Sequence, residues 1–128
     1  MKWLSLEAIL VIHEAQLELF GGASGIRDLG MIESALARAQ NKAAYEDAPM
    51  DLLAAAYLYG FAKNHGFVDG NKRVAFLSAD IFLRIKGYEI HARQPEIIAL
   101  MLSAAAGEVD ENFIARWIGE HRRKLKRP

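Results

Sequence analysis

Apolar residues recur every three or four positions along almost the whole chain, and this spacing constrains the fold more than any other feature. Residues three and four apart share one face of an α-helix, so a chain with this pattern folds into amphipathic helices. Ser5 is a good N-cap for the first helix, and Gly21-Gly22 end it. The residues that this spacing places on one face of the first helix are Leu6, Ile9, Leu10, His13, Leu17 and Phe20.

Five further helices are predicted from the same spacing and from residues that start and stop helices. Ala43–Pro49 is predicted to be a surface loop, and Tyr88–Ile90 a short extended link. The last helix should turn Phe113, Ile114, Trp117, Ile118 and His121 inward. The five helices run from Leu29 to near Asn41 after an Asp28 cap, from Leu52 to about Lys63 after an Asp51 cap, from about Asn71 to Lys86, from Glu96 to Ala106, and from an Asp110 cap into the basic C-terminal end.

The predicted fold class is therefore all-α, with one helix at the centre. The fourth helix is apolar on more than one face, which is typical of a helix packed on by several neighbours. The third helix is rich in alanine and nearly uncharged, so most of its surface should be buried.

Composition narrows the class of protein. The chain has 128 residues, of which 52% are apolar and 25% are charged. This predicts a single domain over residues 1–128 and excludes a largely disordered chain. The absence of cysteine excludes disulfides, thiolate catalysis and Cys-ligated zinc. Sixteen Lys and Arg balance sixteen Asp and Glu, so no direct nucleic-acid partner is expected.

No membrane partner is expected either. The longest uncharged runs, Leu52–Ala62 and Ile97–Gly107, have eleven residues each, whereas a membrane span needs about 20. A carboxylate at Glu7 comes too early for a signal peptide. These features predict a soluble cytoplasmic protein.

The segment from His65 to Arg73 carries the residues most suited to chemistry. It reads His-Gly-Phe-Val-Asp-Gly-Asn-Lys-Arg and opens the central helix. Free N–H groups at a helix start favour an anion, and Gly70 lets a ligand approach the backbone closely. Lys72 and Arg73 are unfavourable at the positive end of the helix dipole unless an anion binds there. The pattern predicts a nucleotide or phosphate site; a structural polar turn is the alternative.

Two further side chains in this segment suit phosphate chemistry. Asp69 can hold Mg²⁺, which takes one or two carboxylates together with phosphate oxygens. His65 in its neutral form can accept a proton from a hydroxyl group. Phe67 is predicted to anchor the loop in the core. The segment is not a P-loop, because only three residues separate Gly66 from Gly70 and no Gly-Lys-Ser/Thr follows.

The nine residues His65-x-Phe-x-Asp-Gly-Asn-Lys-Arg73 resemble the signature of the Doc (death-on-curing) branch of the Fic superfamily. The resemblance covers almost the whole chain. It implies a compact six- or seven-helix Fic/Doc fold whose signature loop and following helix bind ATP and Mg²⁺. The flanking segments that look Doc-like, in the expected order, are Leu6–His13, Phe20–Gly22, Gly25–Asp28, Ala44–Glu46 and Phe82–Gly87.

The resemblance also implies a function and roles for residues. Doc-type proteins resemble bacterial toxins that phosphorylate a hydroxyl of a host protein, with translation elongation factor Tu as the leading target. His65 would be the general base, and Asp69 would ligate Mg²⁺. No convincing copy of the inhibitory helix of many Fic enzymes is present, so a separate antitoxin chain is the implied partner. The residues that would hold the phosphates are Gly70, Asn71, Lys72, Arg73 and Lys63.

Departures from the Fic pattern bear on the reaction. AMP-transferring Fic enzymes read His-Pro-Phe-x-x-Gly-Asn-Gly-Arg-x-x-Arg, whereas this chain has Gly66, Lys72 and Phe76 at three of those places. Phe76 removes a bidentate clamp on the distal phosphates, and Lys72 crowds the backbone cradle. A nucleotide bound in reverse would present its γ-phosphate to the acceptor. AMP transfer and a non-catalytic nucleotide-binding module are the alternatives.

Other polar and aromatic residues are expected to be structural. His13 is predicted to be a buried, hydrogen-bonded core histidine. The basic run Arg122–Arg127 is predicted to be a solvated helix C-terminus that suits the helix dipole. Tyr45 and its loop are a candidate flap over the ATP site; the alternative is a loop aromatic that fills a surface groove.

Overall fold

The computed structural model describes residues 2–126, which form six helices and one two-stranded antiparallel sheet. The predicted all-α fold is confirmed, and the predicted extended link is the first strand. None of the helices in this part of the chain is long and apolar enough to cross a membrane. The elements are α1 (Leu6–Phe20), α2 (Leu29–Tyr45), α3 (Met50–Asn64), α4 (Asn71–Ile85), β1 (Tyr88–Ile90), α5 (Gln94–Ala106), α6 (Glu111–His121) and β2 (Arg122–Lys124).

Helices α3 and α4 form the centre of the core. Nine of the fifteen residues of α3 are buried, and this helix packs against α2, α4, α5 and α6. Small residues let α2 and α3 approach closely, since a Cβ on Gly60 would lie 3.2 Å from Cα of Ala35. The predicted burial of the third helix and the central place of the fourth are both confirmed.

The connection between α2 and α3 is shorter than predicted. Helix α2 continues to Tyr45, and Lys42 in its last turn pairs with Glu46 at 3.4 Å, where a cation suits the helix end. Helix α3 begins at Met50 after an extended Pro49, so Asp51 is not its N-cap.

The basic segment after α6 is not the predicted end of a helix. Arg122–Lys124 forms β2, which pairs antiparallel with β1 so that Arg123 lies opposite Glu89. Ion pairs favour this course of the chain: Arg123 Nε lies 3.0 Å from Glu89, and Arg122 Nε donates to Asp51 at 2.7 Å. Arg127, at the end of the predicted run, lies outside the described residues.

The predicted inward orientation of one residue of α6, Phe113, is also wrong. Ile114 and Ile118 are fully buried, but Phe113 is 42% exposed. Its N–H donates to the N-cap carboxylate of Asp110 at 2.9 Å, and Arg116 lies over its ring. The first turn of α6 therefore extends beyond the core, and helical spacing alone does not indicate where the core ends.

Two loops cross at one end of this core. The loop between α1 and α2 meets the loop between α3 and α4 through backbone hydrogen bonds. Val68 N–H donates to Gly25 O at 3.1 Å, and Gly66 O accepts from the N–H groups of Arg27 and Asp28 at 2.8 and 3.0 Å. Mutual pairing satisfies backbone groups that have no helix partner. The segment from His65 to Arg73 is thus held in place by the α1–α2 loop.

Replacing Asp80 should destabilise the connection between α4 and β1. Asp80 is 7% exposed, and its carboxylate accepts from Ile90 N–H and Arg84 Nε, each at 2.9 Å. Asp80→Ala leaves the buried Ile90 N–H unpaired, so we expect the free energy of unfolding to fall by about 1–3 kcal/mol. Urea denaturation checks this against Glu120→Ala, which removes an exposed carboxylate on α6. An equal effect of the two substitutions would contradict the expectation.

Candidate active site

His65 follows α3 directly and has a left-handed backbone conformation (φ 50°, ψ 49°). It is the only non-glycine residue with positive φ among residues 2–126. Its side chain is exposed, and Nδ1 lies 3.0 Å from the carbonyl oxygen of Lys63. Because a carbonyl oxygen only accepts, Nδ1 carries a proton, and in the neutral ring Nε2 keeps its lone pair. Nε2 is therefore free to accept a proton from a hydroxyl group.

Gly66 is buried against the start of α2. A Cβ at this position would overlap Cγ1 of Ile32 and would lie 3.3 Å from the carbonyl oxygen of Asp28. The loop therefore passes too close to α2 for any side chain. This contact is a steric reason for glycine where the AMP-transferring pattern has proline.

Phe67 anchors the loop in the core, as predicted. Its side chain is 1% exposed, and its ring stacks on that of His13 with centroids 3.8 Å apart. Asn71 closes the loop, because its Oδ1 accepts from Phe67 N–H at 3.0 Å and its Nδ2 donates to Phe67 O at 2.9 Å. The carboxamide of Asn71 is thus engaged within the loop, and its phosphate contact stays a prediction.

Asp69 is held through both its backbone and its carboxylate. Its carbonyl oxygen accepts from Nε2 of His13 at 2.8 Å, and His13 is 4% exposed, which confirms the predicted buried, hydrogen-bonded histidine. The carboxylate accepts from Gly70 N–H at 2.8 Å and from Ala23 N–H at 3.3 Å. The bond from Gly70 first, then that from Ala23 and the two cations of α4, hold the pKa of Asp69 below its usual value. The exposed carboxylate is ionised at neutral pH.

Lys72 and Arg73 lie in the first turn of α4, which Gly70 precedes in a left-handed conformation (φ 82°). No side chain in the described part of the chain caps this helix. Both cations are exposed, and the Arg73 guanidinium lies 4.6 Å from the centroid of the Phe20 ring. Two cations therefore lie at the positive end of the helix dipole, and a bound anion stabilises this arrangement.

An apolar groove of about 590 Å³ begins beside these cations and runs between α1, α4 and α5. Several of its residues are exposed; Leu19 and Leu102, for example, are 72% and 56% exposed. Phe76 also lines the groove, so the chain presents an apolar ring where the AMP-transferring pattern has its second arginine. The main apolar lining residues are Leu19, Phe20, Phe76, Leu77, Ile98 and Leu102.

Two residues singled out from the sequence lie apart from this cluster. Tyr45 is 90% exposed at the end of α2, near the start of α3, whereas His65 follows the end of α3, about 22 Å along the helix. The predicted flap over the site is therefore wrong. The Lys63 ammonium lies 2.7 Å from where a Cβ on Gly107 would be, at the C-terminal end of α5. Its phosphate contact stays a prediction.

The α1–α2 loop adds contacts that the sequence did not indicate. Besides the bond from Ala23, Gly22 faces the Asp69 carboxylate so closely that a Cβ would lie 2.7 Å from Oδ2. Arg27 binds the carbonyl oxygens of Asn64 and His65. The sequence signals in this loop are its glycines and the Doc-like segments Phe20–Gly22 and Gly25–Asp28, and neither specifies which loop it meets.

Asp69→Asn should lower the free energy of unfolding at neutral pH but not in acid. Because the pKa of Asp69 is lower in the folded protein than its usual 3.8, the ionised carboxylate stabilises the fold above that pH. This contribution is lost as the pH falls through the folded-state pKa. Urea denaturation of wild type and variant between about pH 2 and pH 7 should show the two curves converging in acid.

The control for this series is Glu33→Gln, which neutralises an exposed carboxylate on α2. We expect its effect on stability to be small, because an exposed surface charge contributes little to stability. A pH-independent difference between wild type and Asp69→Asn would contradict the assignment of Asp69 as an ionised, hydrogen-bonded group.

Comparison with known proteins agrees with this geometry. A family model described as the Fic/DOC family matches residues 3–83. The chain is 37% identical over 117 residues to "Protein kinase doc" of Escherichia phage P1, an alignment that covers 90% of this chain and 91% of that protein. It is 44% identical over 75 residues to "Toxin Doc" of Mycolicibacterium smegmatis, covering 57% and 58% of the two chains. The chain therefore belongs to the Fic/Doc family.

Proposed function

We propose that this chain is a Doc-type toxin that transfers the γ-phosphate of ATP to a Ser or Thr hydroxyl of a target protein. The observation that carries the proposal is the juxtaposition of a histidine with a free Nε2 and an ionised aspartate on one loop, directly before a helix start with two exposed cations. The names of the relatives from phage P1 and M. smegmatis support the same function.

In this proposal, His65 is the general base. Its Nε2 takes the proton of the acceptor hydroxyl as the hydroxyl oxygen forms a bond to the γ-phosphorus. The bond from that phosphorus to the β,γ-bridging oxygen breaks, so ADP leaves with the electron pair. Phosphoryl transfer depends mainly on positioning and charge stabilisation, which suits a site with one base and several fixed charges.

Asp69 suits the role of the magnesium ligand. Each of its carboxylate oxygens accepts one N–H bond, which leaves further lone pairs for a cation. Mg²⁺ usually takes one or two carboxylates plus phosphate oxygens, and it neutralises phosphate charge when bound. The two N–H bonds fix the orientation of the carboxylate before any cation arrives.

The start of α4 would hold the phosphates. Lys72 and Arg73 supply charge, and the backbone N–H groups of the first helical turn supply directed donors. The N–H of Gly70 already donates to Asp69, so Gly70 contributes here by its left-handed turn and its lack of a side chain. In this proposal, Asn71 supports the phosphate site by keeping the loop closed through its bonds to Phe67. Its direct contact with phosphate stays a prediction.

Phosphoryl transfer is favoured over AMP transfer by Phe76 and Gly66. The apolar ring of Phe76 lines the groove, so it supplies no donor for the distal phosphates. Gly66 packs on α2 where a proline ring has no room. Both observations separate this site from the AMP-transferring pattern, and AMP transfer is the second outcome that the labelling experiment below distinguishes.

Elongation factor Tu is the target that we propose, in line with the resemblance to Doc-type toxins, and modification of it would arrest translation. We further propose that the chain acts as a single domain in the cytoplasm and that a separate antitoxin restrains it. We expect the antitoxin to cover the apolar groove beside α4, because a partner seated there buries exposed leucines and also covers Lys72 and Arg73.

Labelled ATP tests the reaction. Purified protein, Mg²⁺ and elongation factor Tu should yield labelled target with ATP labelled at the γ position and none with ATP labelled at the α position. His65→Ala and Asp69→Ala should each reduce the transfer by about a hundredfold or more, since each removes a group that acts on the reacting atoms. Transfer from the α position would instead establish AMP transfer.

Growth of a bacterial host tests the toxin assignment independently of the target. Expression of the wild-type chain without a partner should arrest growth, and His65→Ala should restore it at the same expression level. Arg116→Ala, which changes an exposed arginine on α6, is the matched control and should remain toxic. Equal growth of cells that express wild type and His65→Ala would contradict the assignment in that host.

A further inference from the structure

Arg27 of the α1–α2 loop binds three successive carbonyl groups at the end of α3. Its Nε donates to His65 O at 2.7 Å, and its Nη2 donates to Asn64 O at 3.2 Å. Its backbone N–H donates to Gly66 O at 2.8 Å. A planar guanidinium presents several donors in a fixed arrangement, so one side chain can hold two neighbouring carbonyl groups at once. The positive charge also suits the C-terminal end of a helix.

The hydrogen bonds from Arg27 hold the backbone at His65, which has an unfavourable conformation. His65 is in the left-handed region, which a residue with a Cβ adopts only when its surroundings hold it there. The carbonyl oxygen of His65 and those on either side of it are the atoms that Arg27 binds. Loss of the guanidinium would remove both side-chain bonds to the carbonyl groups of Asn64 and His65. The bond from Asn64 Nδ2 to Met31 O and the backbone bonds at Gly66 would remain, and neither of them holds the carbonyl group of His65.

The backbone conformation in turn determines which nitrogen of the imidazole carries the proton. The ring donates from Nδ1 to Lys63 O, two residues back along the chain, and this short-range bond exists only while residues 63–65 keep their present course. The neutral histidine side chain in water prefers the proton on Nε2. The Lys63 bond reverses that preference and leaves Nε2 able to accept a proton.

We propose that Arg27 is a positioning residue for the base: it holds the left-handed backbone of His65 and so keeps the imidazole in the Nδ1–H tautomer. The expected effect on kcat rests on the proposed function, whereas the expected effect on the tautomer of His65 does not. Arg27 acts through the carbonyl groups of Asn64 and His65, which its guanidinium binds.

Imidazole nitrogen shifts of His65, measured by NMR on the neutral ring, test the structural part without any substrate. Wild type should show mainly the Nδ1–H tautomer, and Arg27→Ala should show mainly Nε2–H. Arg27→Lys offers a single ammonium for two carbonyl groups and should lie between them. Arg27→Gln provides a neutral donor for the case in which Arg27→Ala does not fold, and Arg116→Ala is the control and should match wild type.

Kinetics test the catalytic consequence. Arg27→Ala should lower kcat by about tenfold to a hundredfold because the base is misoriented, while the dissociation constant for ATP changes by less than about twofold. Arg27→Lys should recover part of the loss. An unchanged tautomer in the folded Arg27 variants would overturn the proposal, whatever their activity. A wild-type protein with no transferase activity would overturn the proposed function, while the NMR result would still decide the role of Arg27.

Discussion

The hydrogen bonds between the α1–α2 loop and the end of α3 are the contacts on which the rest of the site depends. Helix α3 ends with carbonyl groups that have no partner within the helix, and such groups must be satisfied elsewhere. Arg27 supplies donors from both its side chain and its backbone, and Asp28 adds a second N–H to Gly66 O. The same loop donates the N–H of Ala23 to Asp69. The α1–α2 loop thus holds both His65, the candidate base, and Asp69, the candidate metal ligand.

This arrangement requires α2 and α3 to lie close together. Gly60 approaches Ala35 in the middle of the two helices, and Gly66 approaches Ile32 at their ends. A side chain at either glycine would push α2 outward and would carry the loop before it away from α3. The alanines of α3 also keep α2 and α3 close together, because small buried side chains let neighbouring helices approach each other. The core packing therefore determines the distance between the two loops.

The charges of the site are arranged for partners that the folded chain does not itself supply. Asp69 is ionised because backbone N–H groups stabilise its negative form, yet its carboxylate is exposed and keeps free lone pairs. Lys72 and Arg73 stand where the helix dipole disfavours cations. The two cations cost stability in this position, whereas the hydrogen-bonded carboxylate of Asp69 stabilises the fold. In the proposed function, a phosphate would bind to the cations and its metal ion to Asp69.

The six helices and the candidate segment His65–Arg73 could be predicted from the sequence alone. Helical spacing is a local property, so it indicated the six helices, but it did not show where each apolar face leaves the core, as the exposed Phe20 and Phe113 demonstrate. The residue types of His65, Asp69, Lys72 and Arg73 suggested phosphate chemistry. Contacts between distant segments could not be predicted in this way. Arg122–Lys124 forms β2, where Arg122 and Arg123 pair with Asp51 and Glu89. The role proposed for Arg27 depends on the contact between two loops that are far apart in the chain. Hydrogen bonds and ion pairs between distant segments leave no periodic pattern in the sequence, because their donors and acceptors come together only after the core has packed.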